Sequence, residues 1–373
     1  MSEKYLGESI PKLGFGYMRL PRKGDAFDTE QINRMVDTYL ENGFTYFDTA
    51  YVYQGSEEAL RDSLIKRYPD RAKYQIASKL NLMFCKDKQG MEDEFNETMR
   101  RLDTPYLDFY LLHGLGGPSI QTAEDLGAWD YVKGLKAAGK IKHYGLSFHG
   151  TPEDLDGIFT KHPDAEFVQI QLNYLDWDSE DVQSRKVYEV ARKHNIPVTI
   201  MEPLKGGKLA SESTPAAADF KKADPDASAA SWALRFVADL EGLVTILSGM
   251  STYEQLADNV KTFKNLKPLS DADRALIAKA AETLRAIPGI PCTNCRYCVE
   301  NCPQKINIPA LMGLYTDYLV YNSPDILAHS YGFMTGQGGK AKDCIQCRVC
   351  EGHCPQHIEI SEVLAKLSPL VDR

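Results

Sequence analysis

The stretch CTNCRYCVENCPQ, Cys292–Gln304, and the stretch CIQCRVCEGHCPQ, Cys344–Gln356, share one spacing, C-x2-C-x2-C-x3-C-P. Thiols packed this closely and followed by proline serve either as disulfide partners or as metal ligands. The chain has 373 residues and nine cysteines. Eight lie in the two runs, and only Cys85 lies elsewhere. A disulfide scaffold is small and spreads its cysteines through the fold. The runs therefore read as two ligand sets in a reducing compartment, and the C-terminal part of the chain must fold around what they hold.

The part before them follows a different rule. Short apolar runs recur at Lys12–Gly16, Phe44–Asp48, Tyr74–Lys79, Leu107–His113, His143–Phe148, Phe167–Leu172, Pro197–Met201 and Leu243–Leu247. Amphipathic stretches separate them, and the spacing predicts helices over Asp28–Asn42, Ser56–Arg67, Ala123–Ala138, Thr151–Lys161, Ser179–His194 and Ser251–Lys264. Strands alternating with helices indicate a parallel sheet. Eight such units fit a (β/α)8 barrel of the TIM type better than an open dinucleotide-binding sheet. The open sheet would show G-x-G-x-x-G after its first strand, and GFGYMR at Gly14–Arg19 lacks the third glycine. After a helix at Asp271–Arg285, the sequence AIPGIP breaks the pattern. The expected division is a barrel over 1–286 and a small, mainly helical domain over 287–373, with helices at Ile308–Asp317 and Tyr318–Ser330 and a flexible Gly332–Lys340 between the cysteine runs.

The net charge of -9 argues against nucleic acid as a partner, since phosphate needs a basic surface. No apolar run approaches the roughly 18–20 residues of a spanning helix. Met1–Ile10 is polar, with Glu3, Lys4 and Glu8, unlike a secretory leader. The expectation is a cytoplasmic protein with no membrane partner.

In a barrel, chemistry sits where strands run out at the C-terminal face. Strand two ends in FDTAYVY, with Asp48 and Tyr53; strand three in ASKL, with Lys79; strand four in LLHG, with His113. A carbonyl that accepts hydride develops negative charge on oxygen and needs a proton. Tyr53 can supply it, but a free phenol has a pKa of about 10. A Lys79 cation beside it favours the phenolate and lowers that value. Asp48 holds the lysine, and His113 donates to the carbonyl oxygen.

These four residues, in this order at these strand ends, resemble the catalytic tetrad of the aldo-keto reductases. The resemblance covers Ile10 to Leu266. It includes LGFGYMRL at Leu13–Leu20, GLSFHG at Gly145–Gly150, QIQLNY at Gln169–Tyr174, EPLKGGKL at Glu202–Leu209 and LSGMSTYEQLADN at Leu247–Asn259. It implies NADP or NAD bound extended across the barrel mouth and a small carbonyl or alcohol substrate. By position it implies Ser147 and Gln171 at the carboxamide, and Gly16, Tyr17 and Met18 near the nicotinamide. Leu204, Gly206, Gly207, Gly249, Ser251, Gln255 and Asn259 would follow the phosphates and adenosine. Two departures stand out. Phe148 and His149 follow the serine where the family often has Asn. Gly249–Asn259 carries no Lys or Arg, and a 2′-phosphate wants such a partner, which leaves NADP against NAD open.

Each cysteine run resembles the bacterial dicluster ferredoxin pattern, in which the fourth cysteine ligates the other cluster. The resemblance implies one [4Fe–4S] cluster on Cys292, Cys295, Cys298 and Cys354, and a second on Cys344, Cys347, Cys350 and Cys302. Zinc ribbons use pairs of C-x2-C rather than two complete runs, each followed by proline. Arg296 and Arg348 either tune the clusters by charge or are plain surface residues.

The two parts do not join chemically by themselves. A nicotinamide moves two electrons as hydride, a cluster moves one, and flavin is the carrier that does both. Three readings remain: a carbonyl or alcohol oxidoreductase whose clusters serve structure or sensing; a redox enzyme exchanging electrons with an external ferredoxin or flavoprotein; or a non-enzymatic sensor that binds NAD(P). The complete tetrad favours the first two.

Overall fold

The computed structural model describes residues 4–336 and 338–372. Eight parallel strands close on one another: β1 Leu13–Gly16, β2 Tyr46–Asp48, β3 Gln75–Leu80, β4 Leu107–Leu115, β5 Ile141–Phe148, β6 Val168–Gln171, β7 Val198–Met201 and β8 Leu243–Gly249. β1 pairs with β2 on one side and β8 on the other, and this pairing completes the barrel. All eight expected strands are present, shifted by a few residues at their ends.

Strand side chains alternate between faces, and here the parity separates two cores. Phe15, Phe47, Ile76, Tyr110 and Leu146 point outward into the layer between barrel and helices. Tyr46, Ala77, Phe109, Leu111 and Phe167 point inward. Two residues further along the inward rows lie Asp48, Lys79 and His113. The same alternation that fills the barrel therefore delivers these polar groups to its mouth.

The helix Thr29–Glu41 is capped by Asp28, whose carboxylate accepts from the Gln31 N–H at 3.2 Å. Pro152–Lys161 starts from a reciprocal Thr151–Asp154 capping box, which satisfies N–H groups that the first turn leaves open. Some expectations need correction. Ala123–Ala138 is two helices, Pro118–Asp125 and Ala128–Ala137, because Gly127 takes a left-handed conformation between them. The helix expected from Ser179 begins only at Ser184. Lys88–Leu102 is a full helix where none was expected, since its polar sequence hides the buried row Met91, Phe95, Thr98 and Leu102. Ala229–Ala238, ahead of β8, was also missed.

The chain divides into two compact units: Met1–Leu204 with Ser231–Asp271, and Lys205–Ala230 with Ala272–Arg373. The second has its own core, built from Ile306, Ile308, Leu311, Met312, Leu327, Tyr331, Ile360, Leu364 and Leu367. Its helices Ile308–Tyr321 and Pro324–Thr335 break at Asn322, which takes a left-handed conformation before Pro324. The expected break at Tyr318 thus falls later, and part of the stretch expected to be flexible is helical. Among the described residues no helix is long and apolar enough to cross a membrane.

Candidate active site and metal centres

Lys79 is fully buried. Its ammonium donates to both carboxylate oxygens of Asp48, at 2.7 and 2.8 Å, and to the Thr49 carbonyl at 2.7 Å. Burial opposes the charge, yet Asp48 and Tyr53 hold the Lys79 pKa above the ordinary lysine value. The lysine is therefore a fixed cation. Its nitrogen lies 5.0 Å from the centre of the Tyr53 ring. The His113 ring also meets Tyr53 edge to face, with centroids 6.0 Å apart and planes at 83°. The four residues singled out at the strand ends are thus one constellation.

The electrostatics correct one expectation. Burial pushes the Tyr53 phenol above its ordinary pKa, and the opposing pull of Lys79 does not overcome it. The desolvation cost of a phenolate is the larger effect here. Burial, with the Lys79 cation second, pushes His113 down to about 3, so its imidazole is neutral near pH 7. His113 Nδ1 is buried and finds no hydrogen-bond partner among the described residues.

Sequence reading missed the residues that hold this group in place. The loop carrying Tyr53 is tied by Arg101, whose guanidinium donates to the Tyr51 carbonyl at 3.0 Å and to Glu57 at 3.2 Å. Glu57 in turn accepts from Ser78, the neighbour of Lys79, at 2.8 Å. Arg101 sits on the unexpected helix Lys88–Leu102, so its contact with this loop had no signal in the pattern. Glu202, after β7, has a left-handed φ of 58°, and its charge acts on both Tyr53 and His149.

The residues expected along a dinucleotide fall into three groups. Gly16 pairs with both Asp48 and Gly249, so the rim beside the tetrad carries no side chain at two adjacent strand ends. Ser147 Oγ accepts from the Gly114 N–H at 2.7 Å. The Gln171 amide donates to Asp176 at 3.0 Å, an acid that Asn173 also reaches at 2.8 Å. These bonds fix both side chains at the strand ends. Tyr17 differs: its ring is buried between Phe15 and Phe47, its hydroxyl is 3.1 Å from Ser63 Oγ, and only its backbone remains for a ligand. Met18 is exposed.

The third group is the loop after β8. Ser251 donates its hydroxyl to the Arg19 carbonyl at 2.8 Å and its N–H to Gln255 at 2.7 Å. Asn259 is buried and donates to Ser248 Oγ at 2.8 Å. The Arg19 side chain runs against Gly249, within 3.6 Å of where a Cβ would stand. The stem of a basic residue thus lies beside the loop whose own sequence has none. Leu204 ends the stretch of the first unit before Lys205, while Gly206 and Gly207 belong to the second and have left-handed φ of 66° and 95°.

In the second unit the cysteines form two groups. One hollow is lined by Cys292, Cys295, Cys298 and Cys354. The other is lined by Cys302, Cys344, Cys347 and Cys350. None of the eight is joined in a disulfide. Burial pushes Cys298 up to about 11, and the three other thiols of its hollow, Cys354 included, add to the effect. Among the described residues, no three His, Cys, Asp or Glu side chains converge closely enough to hold a single metal ion. Four thiols around each hollow are the donor set of a four-iron cube, which takes one thiolate at each corner.

The backbone around the hollows repeats with a constant offset of 52 positions. Asn294 and Gln346, Arg296 and Arg348, and Lys305 and His357 all take left-handed φ between 51° and 67°. Short helices follow at Tyr297–Glu300 and Val349–Gly352, and longer ones at Ile308–Tyr321 and Ile360–Val371. Left-handed residues in such turns point successive N–H groups to one side, the concavity that binds anionic clusters. None of these six residues is glycine, so each position carries a strained conformation.

Residues 12–282 match the model of the aldo/keto reductase family. The chain belongs to the aldo/keto reductase family. Residues 291–359 match the model of the 4Fe-4S dicluster domain, which indicates two such clusters. A probable aldo-keto reductase 1 of Glycine max is 29% identical over 229 residues, covering 58% of this chain and 63% of that protein. The 9,11-endoperoxide prostaglandin H2 reductase of Trypanosoma cruzi is 26% identical, covering 54% and 64%. The chain thus spans just under two thirds of the length of these relatives. The NADH-specific methylglyoxal reductase of Escherichia coli is 25% identical, covering 67% and 88%. Among solved structures, an aldo-keto reductase of Klebsiella pneumoniae in complex with NADPH has a TM-score of 0.60 at 21% identity. It covers 75% of this chain and 95% of that one, and supports the barrel fold.

Proposed function

We propose that the barrel mouth interconverts a small carbonyl compound and its alcohol with a nicotinamide dinucleotide. The carrying observation is the buried Lys79 cation, fixed by Asp48 and set beside Tyr53, with neutral His113 packed against the same ring. A bound nicotinamide would supply or take the hydride at the carbonyl carbon. Tyr53, protonated at neutral pH because its pKa is raised, donates the proton to the carbonyl oxygen and recovers it from solvent. Lys79 stabilises the phenolate left behind. His113 is neutral, so it can donate one N–H to the oxygen without competing for the proton. Oriented Ser147 and Gln171 suit the carboxamide. Arg19 beside Gly249 favours NADP of the two dinucleotides, since a 2′-phosphate seeks a charge-assisted partner.

We assign residues 1–286 to hydride chemistry and 287–373 to the clusters, with Cys354 completing the first and Cys302 the second. Cys295 and Cys347 are exposed, which supports electron exchange with an external ferredoxin or flavoprotein over a purely structural role.

The test is Tyr53→Phe in anaerobically purified protein. Carbonyl reduction should fall by at least about 100-fold, the lower range for a positioned acid, while binding of NADPH, read by quenching of tryptophan fluorescence, stays within a few-fold. Retained turnover would remove Tyr53 from the role. Lost binding would show that the residue serves the dinucleotide instead.

A further inference from the structure

The offset of 52 lets the two halves of the cluster domain be compared position by position, and the comparison shows an asymmetry of charge. Arg296 lines the first hollow and Arg348, its equivalent, lines the second. Among the described residues Arg296 has no ion pair. Arg348 lies 3.9 Å from Glu351 and 3.7 Å from Glu362. The positions equivalent to those two acids in the first half are Val299 and Ala310.

Glu351 is not a loose surface group. Its side chain is 18% exposed, and it accepts the Ser361 N–H at 2.9 Å and the Ser361 hydroxyl. Ser361 itself lines the second hollow, and its equivalent in the first is Pro309, which has no N–H to offer. The wider charge balance agrees. From Gly289 to Tyr315 two cations face one carboxylate; from Ala341 to Leu367 three cations face four.

Reducing a [4Fe–4S] cluster adds one electron and so one negative charge, and net charge near a cluster is one of the terms that set its potential. We propose that the two clusters have unequal potentials, the one on Cys344, Cys347, Cys350 and Cys302 being the harder to reduce because Glu351 and Glu362 stand beside it. An electron entering there runs downhill to the cluster on Cys292, Cys295, Cys298 and Cys354, which is reduced as the other is reoxidised. The domain is then an unequal pair, in which the first electron taken up rests on the cluster of Cys292, Cys295, Cys298 and Cys354. This rests on the ligand reading above.

The test is a reductive titration of the full-length anaerobic protein with dithionite, followed by electron paramagnetic resonance. Two one-electron waves are expected. Glu351→Gln, which keeps an acceptor for Ser361, should move only the lower wave upward. Glu362→Gln, at a more exposed position, should do the same more weakly. Val299→Glu should move only the upper wave downward. Two clusters per chain with coincident waves, or a Glu351→Gln shift in the upper wave, would overturn the inference alone. Iron for fewer than two clusters would overturn the ligand reading and the inference with it.

Discussion

Replacing Lys79 by methionine tests whether the buried pair is as dry as it looks. The two ions are 2.7–2.8 Å apart, with side-chain exposures of 0% and 5%. At an effective dielectric of about 20, that separation gives roughly 6 kcal/mol of attraction, much of it offset by the cost of removing both ions from water. Methionine fills the lysine's stem but leaves the Asp48 carboxylate buried without a counter-charge. Breaking one partner of such a pair costs about 3–5 kcal/mol. Replacing both, as in Lys79→Met with Asp48→Leu, should recover most of that loss. The assay is urea unfolding followed by tryptophan fluorescence, which reports the barrel because Trp129, Trp177 and Trp232 all lie in the first unit. The penalty in Lys79→Met should shrink as pH falls and Asp48 takes up a proton. A single-mutant cost under about 1 kcal/mol, the range of exposed pairs, would refute the reasoning. So would a double mutant no more stable than the single.

Further outcomes follow from the same geometry. His113 is held down to about 3 from 6.5, so the unfolded chain binds more protons between those values. Its contribution to stability is present above pH 6.5 and falls by up to about 1.4 kcal/mol per unit as pH drops toward 3. Glu94, buried and held up at about 7 from 4.5, has the opposite sign: its contribution is present below 4.5 and is lost as pH rises to 7. Between pH 4.5 and 6.5 the two nearly cancel, so urea midpoints should rise more with pH in Glu94→Gln and fall more with pH in His113→Gln than in the parent; unchanged slopes would contradict both assignments. Gly145→Ala would bring a Cβ within 2.2 Å of the Phe167 carbonyl oxygen, so the β5–β6 pairing must open, at a cost of at least about 2–3 kcal/mol in the same assay. Cys302→Ser, although in the first run, should perturb the paramagnetic signal of the cluster on the second, and Cys354→Ser the reverse. Arg19→Ala should weaken NADPH binding at least about tenfold more than NADH binding, the scale of one lost charge-assisted bond.

Strand parity made the tetrad legible in sequence. Asp48, Lys79 and His113 each end a buried run of alternating faces, and a barrel turns such ends toward one mouth. The cysteine runs were legible because their spacing is a covalent rule, and the two hollows group the thiols in the crossed sets that the resemblance implied. What stayed hidden depends on distance in space. Lys88–Leu102 looks polar because its solvent face carries the charges, so the Arg101 tether to the Tyr53 loop could not be seen. Local sequence gives the sign of the Lys79 effect on Tyr53 but not the burial that outweighs it. Tyr17 lies in the right motif, yet its ring turns to the core because Phe15 and Phe47 offer it an aromatic slot. Arg19 was passed over because the cation was sought in the loop after β8 rather than beside it.

The most direct measurement follows the hydride. Anaerobic protein is given a carbonyl substrate and NADPH carrying deuterium at the transferable position, and the alcohol product is analysed by mass spectrometry while the cluster absorbance is recorded. The expected result is deuterium on the carbinol carbon, one label per NADPH oxidised, with no label transferred by Tyr53→Phe. Oxidation of NADPH that bleaches the clusters and leaves the product unlabelled would contradict a hydride site at the barrel mouth.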